Sequence, residues 1–353
     1  MKKNIYKTKV FLLIAIIMSC SNDDDKPNDD KPITDVYVVG YADNKAMYWK
    51  NDKAFILPSE GNSFARAIHI TNSNDVFICG TEFDSNTSLG RAVYWKNGEK
   101  IVLEANSTNT TIAQDIEVSD AGDVFVIGRE QLFPDGERKA VYWKNGIKVY
   151  LHSNDVSTSE SYDIHITTNG DTYIAGNERD SPSFESRAVY WKNGNRVILS
   201  DGSVETESQS IYVTDTEDVY ISGVEDTSSG YPTAVYWNNG IKIVFPVSDG
   251  TYLVNSSIYV ANNKVYVSAE EHDSNSNVSS TVYWENNNKF NLSIGSFPNQ
   301  LIVVDNDVYV VGSLRQTSSS PWDAVYWKNG TKNILTDGSA TASANGIAVR
   351  TSN

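Results

Sequence analysis

Short runs of alternating apolar and polar residues, separated by turn-forming residues, recur along most of the chain. The clearest run is Ala140–Gly146, which reads AVYWKNG. A β-branched and aromatic run that ends in Asn-Gly is typical of a strand followed by a tight hairpin turn. Seven copies at a Trp-to-Trp spacing of 43 to 48 residues predict a repeat architecture. The copies contain Trp49, Trp95, Trp143, Trp191, Trp237, Trp284 and Trp327.

Each repeat divides into four short strands. In the repeat that contains Trp95, the first strand is centred on Ile68–Ile70 and is followed by a tight polar turn. The second strand is Asp75–Gly80, and a longer loop connects it to the Tyr-Trp strand. An Asn-Gly turn then leads to a fourth strand at Lys100–Leu103. Short strands at even spacing with a periodic aromatic signature predict a β-propeller.

The two ends of the repeat region complement each other. The first unit begins with a second strand, Asp35–Gly40, whereas the chain ends after a lone first strand, Ile347–Val349. One C-terminal strand and three N-terminal strands together would complete a blade and close the ring without an open edge. Residues 33–353 are therefore predicted to form an all-β, seven-bladed β-propeller with four antiparallel strands per blade.

The Tyr and Trp side chains of each third strand point to opposite faces of a blade. Because both faces of a blade are covered by its neighbours, we expect the repeated Trp set to form core rather than to stack on a ligand. Cys79 lies in the apolar run Val76–Cys79 and is expected to behave as a small buried hydrophobe.

The N-terminal residues have the composition of an export signal. A basic head, the apolar run Val10–Met18 and a small residue at the cut predict a signal peptide in residues 1–19. The end of this segment resembles a bacterial lipoprotein box, which implies lipidation of Cys20. The acidic residues 20–32 predict a flexible tether, and they resemble the export signal of Bacteroidetes-type surface lipoproteins. We therefore expect a lipid-anchored protein at the outer membrane or cell surface.

The chain carries a formal charge of −16, and loss of the four lysines in residues 1–19 would bring it to about −20. This balance argues against nucleic-acid binding and against an anionic membrane surface, because both require basic residues. It favours solubility and cationic or neutral partners. A monomer is expected.

The repeat resembles the extracellular HAF family. The resemblance rests on Ser63–Ile68, Gly80, Arg91-Ala92, Trp95–Gly98 and Leu103, and it extends over essentially all of residues 33–353. It implies the propeller fold but no chemistry. The chain departs from the family pattern in having Tyr before the Trp and few glycines in the first turns.

In a propeller, the connections after the second strand lie on one face with the links between blades. These connections are long and different here, whereas the other turns are short and uniform. Function concentrates on variable loops displayed by a rigid scaffold, so we predict binding at this long-loop face, although free drift of loop length is an alternative. The predicted loops are Glu82–Gly90, Glu130–Arg138, Glu178–Ser186, Glu225–Pro232, Glu271–Ser280 and Leu314–Trp322.

A polar residue precedes each first strand, and two aspartates, Asp115 and Asp163, lie beside this set. We expect these side chains to cluster at the mouth of the central channel, where amide, acid and aromatic groups suit sugar hydroxyls or a peptide. The alternative is that they satisfy backbone groups and hold channel water. The polar ring consists of Arg66, Gln114, Tyr162, Gln209, Ser256, Asn299 and Asn345.

A carboxylate follows the second strand in five blades. Three of these, Glu82, Glu130 and Glu178, are expected to pair across the sheet with Arg91, Lys139 and Arg187, respectively. Glu225 and Glu271 face uncharged residues and are predicted to be freer to bind a ligand. Aromatic residues in the loops are further candidate anchors, or they cover the propeller; they are Phe83, Phe133, Phe184, Tyr231 and Trp322.

The sequence contains no strained nucleophile turn, phosphate loop or His-Glu zinc motif. His69, His165 and Glu117 have no metal-ligand spacing, and turns such as Asp120–Asp123 lack the full oxygen set of a calcium loop. No cofactor or metal is predicted. We expect a non-catalytic binding module for a glycan or protein. The alternatives are a polysaccharide hydrolase or lyase that uses channel-mouth carboxylates such as Asp115, and a structural envelope component.

Overall fold

The computed structural model describes residues 33–103, 108–151, 155–179, 185–227, 230–247 and 250–352. Thr34–Arg350 form one compact unit. The predicted signal peptide, Cys20 and the acidic tether lie outside the described residues, and so does Phe184. Within the part that is described, no helix has both the length and the apolar character needed to cross a membrane.

The described residues form 28 β-strands. The first fifteen are β1 (Ile33–Ala42), β2 (Lys45–Lys50), β3 (Lys53–Ile56), β4 (Asn62–Ile70), β5 (Val76–Phe83), β6 (Gly90–Lys96), β7 (Glu99–Val102), β8 (Thr110–Val118), β9 (Val124–Gln131), β10 (Arg138–Lys144), β11 (Ile147–Tyr150), β12 (Thr158–Ile166), β13 (Thr172–Arg179), β14 (Ser186–Lys192) and β15 (Asn195–Ile198). The others are β16 (Thr206–Val213), β17 (Val219–Asp226), β18 (Pro232–Asn238), β19 (Ile241–Val244), β20 (Thr251–Ala261), β21 (Lys264–Asp273), β22 (Val278–Glu285), β23 (Asn288–Ile294), β24 (Ser296–Val304), β25 (Asp307–Arg315), β26 (Trp322–Lys328), β27 (Thr331–Ile334) and β28 (Ala342–Ser352).

These strands make seven four-stranded antiparallel sheets, the blades of a propeller, which confirms the predicted fold. Blade 1 has the strand order β28-β1-β2-β3, so the C-terminal strand completes the N-terminal sheet. Blades 2 to 7 each use four consecutive strands, from β4–β7 to β24–β27. The closing strand is also held to blade 2, because the Arg350 guanidinium donates to the carbonyls of Thr71 (3.0 Å) and Asn72 (2.8 Å).

The hydrophobic core lies between neighbouring blades. Trp143 of blade 3 is fully buried against Phe77, Cys79 and Ala92 of blade 2, together with Val141 of its own strand. The other six Trp residues of the repeat are also buried, which confirms their predicted core role. Cys79 is a buried free cysteine, and burial raises the pKa of its thiol well above the usual range, as expected for an inert side chain.

The repeated Lys-Asn-Gly turn has a local structural role. In blade 3, Asn145 lies in the left-handed region (φ 51°), and its Oδ1 accepts the Val124 N–H at 2.9 Å. Its Nδ2 donates to Asp123 at 2.8 Å, and Lys144 pairs with the same carboxylate at 2.8 Å. The motif therefore ties the third strand to the start of the second strand. Equivalent Asn–Asp pairs are Asn51–Asp35, Asn97–Asp75, Asn193–Asp171, Asn239–Asp218 and Asn329–Asp307.

Candidate functional site

The structure brings the predicted polar ring together around the propeller axis. Each blade contributes one ring residue from its innermost strand, and all seven line a single pocket of about 170 Å³. Asp115 and Asp163 line the same pocket. Because all seven innermost strands contribute to its lining, the pocket lies on the propeller axis. Its position at the mouth of the channel stays a prediction.

A β-bulge in the innermost strand positions the ring residue. In blade 3, Ala113 pairs with Gly128 and Asp115 pairs with Ile127, so Gln114 has no partner in the register. An extra residue of this kind is known to redirect side chains in a strand. The same one-residue shift occurs at Arg66, Tyr162, Gln209 and Asn299.

A glycine opposite the bulge allows the backbones to approach. A Cβ at Gly128 would lie 1.8 Å from the Ile112 carbonyl oxygen, which no side chain can tolerate. Blade 6 has Ala269 at this position, and its register shift is longer, from Val254 to Ser257, with Asn255 at φ 55°. The glycine and the one-residue bulge therefore occur together. The glycines at the equivalent position of the other blades, where a Cβ would lie 1.8 to 2.2 Å from a carbonyl oxygen, are Gly40, Gly80, Gly176, Gly223 and Gly312.

Five members of the polar ring are used in hydrogen bonds within the protein. Asn299 Nδ2 donates to the Ala344 carbonyl at 2.8 Å, and Asn345 Nδ2 donates to the Ala65 carbonyl at 2.7 Å. Gln209 Oε1 accepts the Ser256 N–H at 2.7 Å. The Tyr162 hydroxyl donates to Glu160 at 3.1 Å. Asn299, Asn345 and Gln209 thus satisfy backbone groups of a neighbouring blade, as the alternative interpretation of the ring proposed. Tyr162 bonds within its own strand.

The two remaining members, Arg66 and Gln114, are different. The side chain of neither residue makes a hydrogen bond or an ion pair with a described residue. They occupy equivalent positions in blades 2 and 3, which are neighbours. The two ring side chains without a described partner thus lie on one side of the ring.

Asp115 and Asp163 connect blades through their carboxylates. Asp115 accepts the Ile164 N–H of the next blade at 3.0 Å, and Asp163 accepts the Ile211 N–H at 2.7 Å. Burial and the neighbouring Asp163 carboxylate raise the pKa of Asp115 well above its usual range. Side chains at the same position make the same bond in later blades: Ser210 to Ile258, Ser257 to Leu301 and Gln300 to Ile347.

The predicted carboxylate pairing was only partly correct. Glu82, Glu130 and Glu178 are buried and stand opposite Arg91, Lys139 and Arg187 in the register, as expected. Of these pairs, the structure shows an ion pair between Glu178 and Arg187 (3.2 Å). Arg91 instead pairs with Asp84 at 3.2 Å, and Lys139 has no ion pair within the described ranges.

The main partner of each carboxylate comes from the fourth strand. Glu82 pairs with Lys100 at 3.0 Å, and this ammonium together with the Glu60 N–H holds the pKa of Glu82 below its usual value despite burial. Lys100 lies opposite Trp95, on the face where the carboxylate lies. Equivalent pairs are Glu130–Lys148 and Glu178–Arg196.

Glu225 and Glu271 were predicted to lack partners, and this prediction was wrong. Lys242 contacts Glu225 at 2.7 Å, and Lys289 contacts Glu271 at 2.5 Å. The basic residue occurs five positions after the Trp in each of blades 2 to 6, a signal that the sequence contains. Blade 7 has Leu314 in place of the Glu, and Lys332 at this position forms no ion pair with a described residue.

The loops of the predicted binding face are shorter than expected. The strands continue past the glycine, so the connections between second and third strands in blades 2 to 7 contain only four to six residues. Trp322 begins a strand and packs on Phe297 (4.9 Å between centroids), with Arg315 over its ring at 4.4 Å. Phe83 also lies in a strand. Phe133 and Tyr231 are exposed, and Tyr231 stacks on Tyr252 at 5.6 Å.

Below the ring, His69, Glu117 and His165 lie on innermost strands, as the sequence indicated. Burial raises the pKa of Glu117 to about 8 and lowers the pKa values of both histidines. His165 packs against Tyr212 with ring centroids 5.0 Å apart. Within the described ranges, no three acidic, His or Cys side chains come together as metal ligands.

Solved structures with similar folds belong to several enzyme classes. A puromycin-hydrolysing peptidase from Mycobacterium tuberculosis matches 86% of this chain and 53% of its own, with a TM-score of 0.56 and 10% identity. An acylaminoacyl peptidase from Pyrococcus horikoshii matches 87% of this chain and 52% of its own, with a TM-score of 0.52 and 14% identity. An oligogalacturonate lyase in complex with manganese matches 86% of this chain and 84% of its own, with a TM-score of 0.50 and 8% identity.

These similarities establish the fold alone, because the identities are low. The chain spans about half the length of the two peptidases. No protein-family model matches the sequence. No curated protein matches it either. The resemblance to HAF repeats stays a prediction.

Proposed function

We propose that the protein is a non-catalytic binding module and that its ligand is a glycan held at the channel mouth. The observation that carries this proposal is the pair of unpaired polar side chains, Arg66 and Gln114, in a pocket on the axis. The remaining ring residues are held by hydrogen bonds, either between blades, as for Asn345 to Ala65, or within one strand, as for Tyr162 to Glu160. The pocket is thus preformed, which lowers the entropic cost of binding.

The chemistry of the pocket favours a sugar over a peptide side chain. Among the described residues that line it, Ala67 alone lacks a polar side-chain atom. An amide offers both donors and an acceptor, which matches hydroxyl groups. The volume of about 170 Å³ is below the usual range for a drug-sized ligand and suits one sugar residue at the end of a chain.

A glycan array with the soluble domain, residues 33–353, run with and without calcium, tests this proposal. We expect specific binding, and Gln114→Ala should weaken it about three- to tenfold, because a neutral hydrogen bond contributes on the order of 1 kcal/mol. Gln131→Ala is the matched control, since Gln131 lies at the end of β9 outside the pocket. A blank array, with only protein partners recovered by surface pull-down, would argue against a glycan ligand.

We also propose that Cys20 anchors the protein to the outer membrane or cell surface. The support is the signal-like segment in residues 1–19 and the acidic tether that follows. Cys20→Ala should move the protein from the membrane fraction to the soluble fraction, because the lipid supplies the membrane affinity. Retention of the variant in the membrane fraction would refute the anchor.

We also propose, from the sequence alone, that the repeats are related to HAF repeats. The support is the pair of segments Arg91-Ala92 and Trp95–Gly98. An alignment of HAF repeats that leaves these two segments unmatched would remove the assignment.

A hydrolase or lyase is the second candidate function. The raised pKa of Asp115 and the adjacent Asp163 are features of a general acid with a neighbouring carboxylate. Both side chains, however, already bond to backbone N–H groups of the next blade. Turnover of a polysaccharide by the wild-type domain that is lost in Asp115→Asn would favour the enzyme. Binding without turnover would favour the module.

A further inference from the structure

We propose that the ligand carries a carboxylate and that Arg66 recognises it, so that the bound residue is an acidic sugar such as a uronate. This inference rests on the proposed function and specifies its ligand. Two observations carry it: the unpaired state of Arg66 and the position of its side chain in the polar pocket.

Arg66 is exceptional among the arginines of the chain, all of which are described. Six others pair with carboxylates, Arg315 stacks on Trp322, and Arg350 bonds to two backbone carbonyls. Arg66 makes no such contact with a described residue. The six ion pairs are Arg91–Asp84, Arg129–Glu160, Arg138–Glu160, Arg179–Glu205, Arg187–Glu178 and Arg196–Glu178.

The chain contains 45 acidic residues against 29 basic ones, so carboxylates are abundant and a cation without one is informative. A guanidinium presents five donors in a planar arrangement that matches a carboxylate in a bidentate geometry. Such charge-assisted hydrogen bonds are about twice as strong as neutral ones. Arg66 is therefore suited to distinguish an acidic sugar from its neutral counterpart.

Within the described residues, no carboxylate near the pocket forms an ion pair with Arg66. Asp163 accepts hydrogen bonds from Ser210 and from the Ile211 backbone, and the raised pKa of Asp115 favours its uncharged form. Glu160 is held by Arg129 (2.6 Å) and by Arg138. An incoming carboxylate would thus meet Arg66 as the one cation in the described lining of the pocket.

The net charge restricts what kind of acidic glycan can bind. A charge of −16 repels a polyanion at long range, whereas salt at physiological strength screens charges beyond about 8 Å. A single acidic residue in a largely neutral glycan avoids most of this repulsion and still pairs with Arg66. Gln114, in the neighbouring blade, would then bond to the hydroxyls of the same sugar.

The test compares pairs of glycans that differ only in one carboxylate. Each uronate-terminated oligosaccharide is placed on the array beside its hexose-terminated counterpart. The wild-type domain should prefer the acidic member. Arg66→Gln should weaken binding of that member about ten- to hundredfold, as loss of a charge-assisted pair predicts. Binding of the neutral member should change little. Lys332→Gln is the control, since it removes the same charge from an exposed residue of an outer strand.

Each result separates this inference from the proposed function. Equal binding of the acidic and neutral members by the wild type would overturn the carboxylate preference but leave glycan binding in place. An equal loss of both members in Arg66→Gln, with an unchanged melting temperature, would also overturn it. Absence of binding to every pair would remove both proposals.

Discussion

Replacing Trp143 with alanine should lower the free energy of unfolding by about 3–5 kcal/mol. The indole is fully buried in the core between blades 2 and 3, in one cluster with Phe77 and Cys79. The cavity left behind cannot collapse easily, because its walls are β-sheets fixed by their own hydrogen bonds. Calorimetry or circular dichroism should show a markedly lower melting temperature.

Trp322→Ala provides the matched control for this experiment. Trp322 is the one Trp outside the repeat position, and it lies half-buried at the start of β26. Trp322→Ala should lower the free energy of unfolding clearly less than Trp143→Ala does, because less apolar surface is buried at Trp322. Equal costs for the two variants, or an unchanged melting temperature for Trp143→Ala, would contradict the assignment of the repeated Trp to the core.

Replacing Gly128 with alanine should destabilise the protein by about 2–4 kcal/mol, although only one methyl group is added. The new Cβ would lie 1.8 Å from the Ile112 carbonyl oxygen, and a backbone atom cannot move aside as a flexible side chain can. The strand must therefore shift, and with it the bulge that holds Gln114 in the channel.

The sixth blade supplies the comparison for this variant. It already has alanine at the equivalent position, Ala269, and accommodates it with a longer bulge. Ala269→Gly should change the stability by about 1 kcal/mol or less. Urea denaturation of both variants measures the difference. A Gly128→Ala domain as stable as the wild type would show that the close approach does not determine the bulge.

The fold was predictable because the same physical pattern occurs seven times. One Tyr-Trp run would be ambiguous, but Trp143 and its six equivalents at even spacing require a structure in which every copy is buried in the same way. The unequal ends of the repeat region then indicated how the ring closes, and β28 does pair within blade 1.

The clustering of the polar ring was also predictable, but the roles of its members were not. The sequence shows a polar residue before each first strand. The bulge that orients this residue, however, depends on how two strands pair, and its sequence signal is a glycine on the other strand. Whether a ring amide is free depends on the next blade. Asn345 reaches the Ala65 carbonyl, whereas Gln114 reaches no described partner.

The partners of the carboxylates do not follow from the neighbouring third strand alone. Lys100 lies one strand further away, opposite Trp95 in the register, but its long side chain reaches Glu82. Long basic side chains commonly cover apolar surface in this way while the charge reaches a polar group. The loops were misjudged for a related reason, since Glu82 continues the strand instead of ending it.

The measurement that tests the central claim most directly is a crystal structure of the domain with the glycan that the array identifies. We predict that the terminal sugar occupies the channel mouth, within hydrogen-bonding distance of Arg66 and Gln114, with the innermost strands unmoved. A sugar bound at the outer strands, or on the loops around Phe133, would contradict the assignment of the polar ring as the binding site.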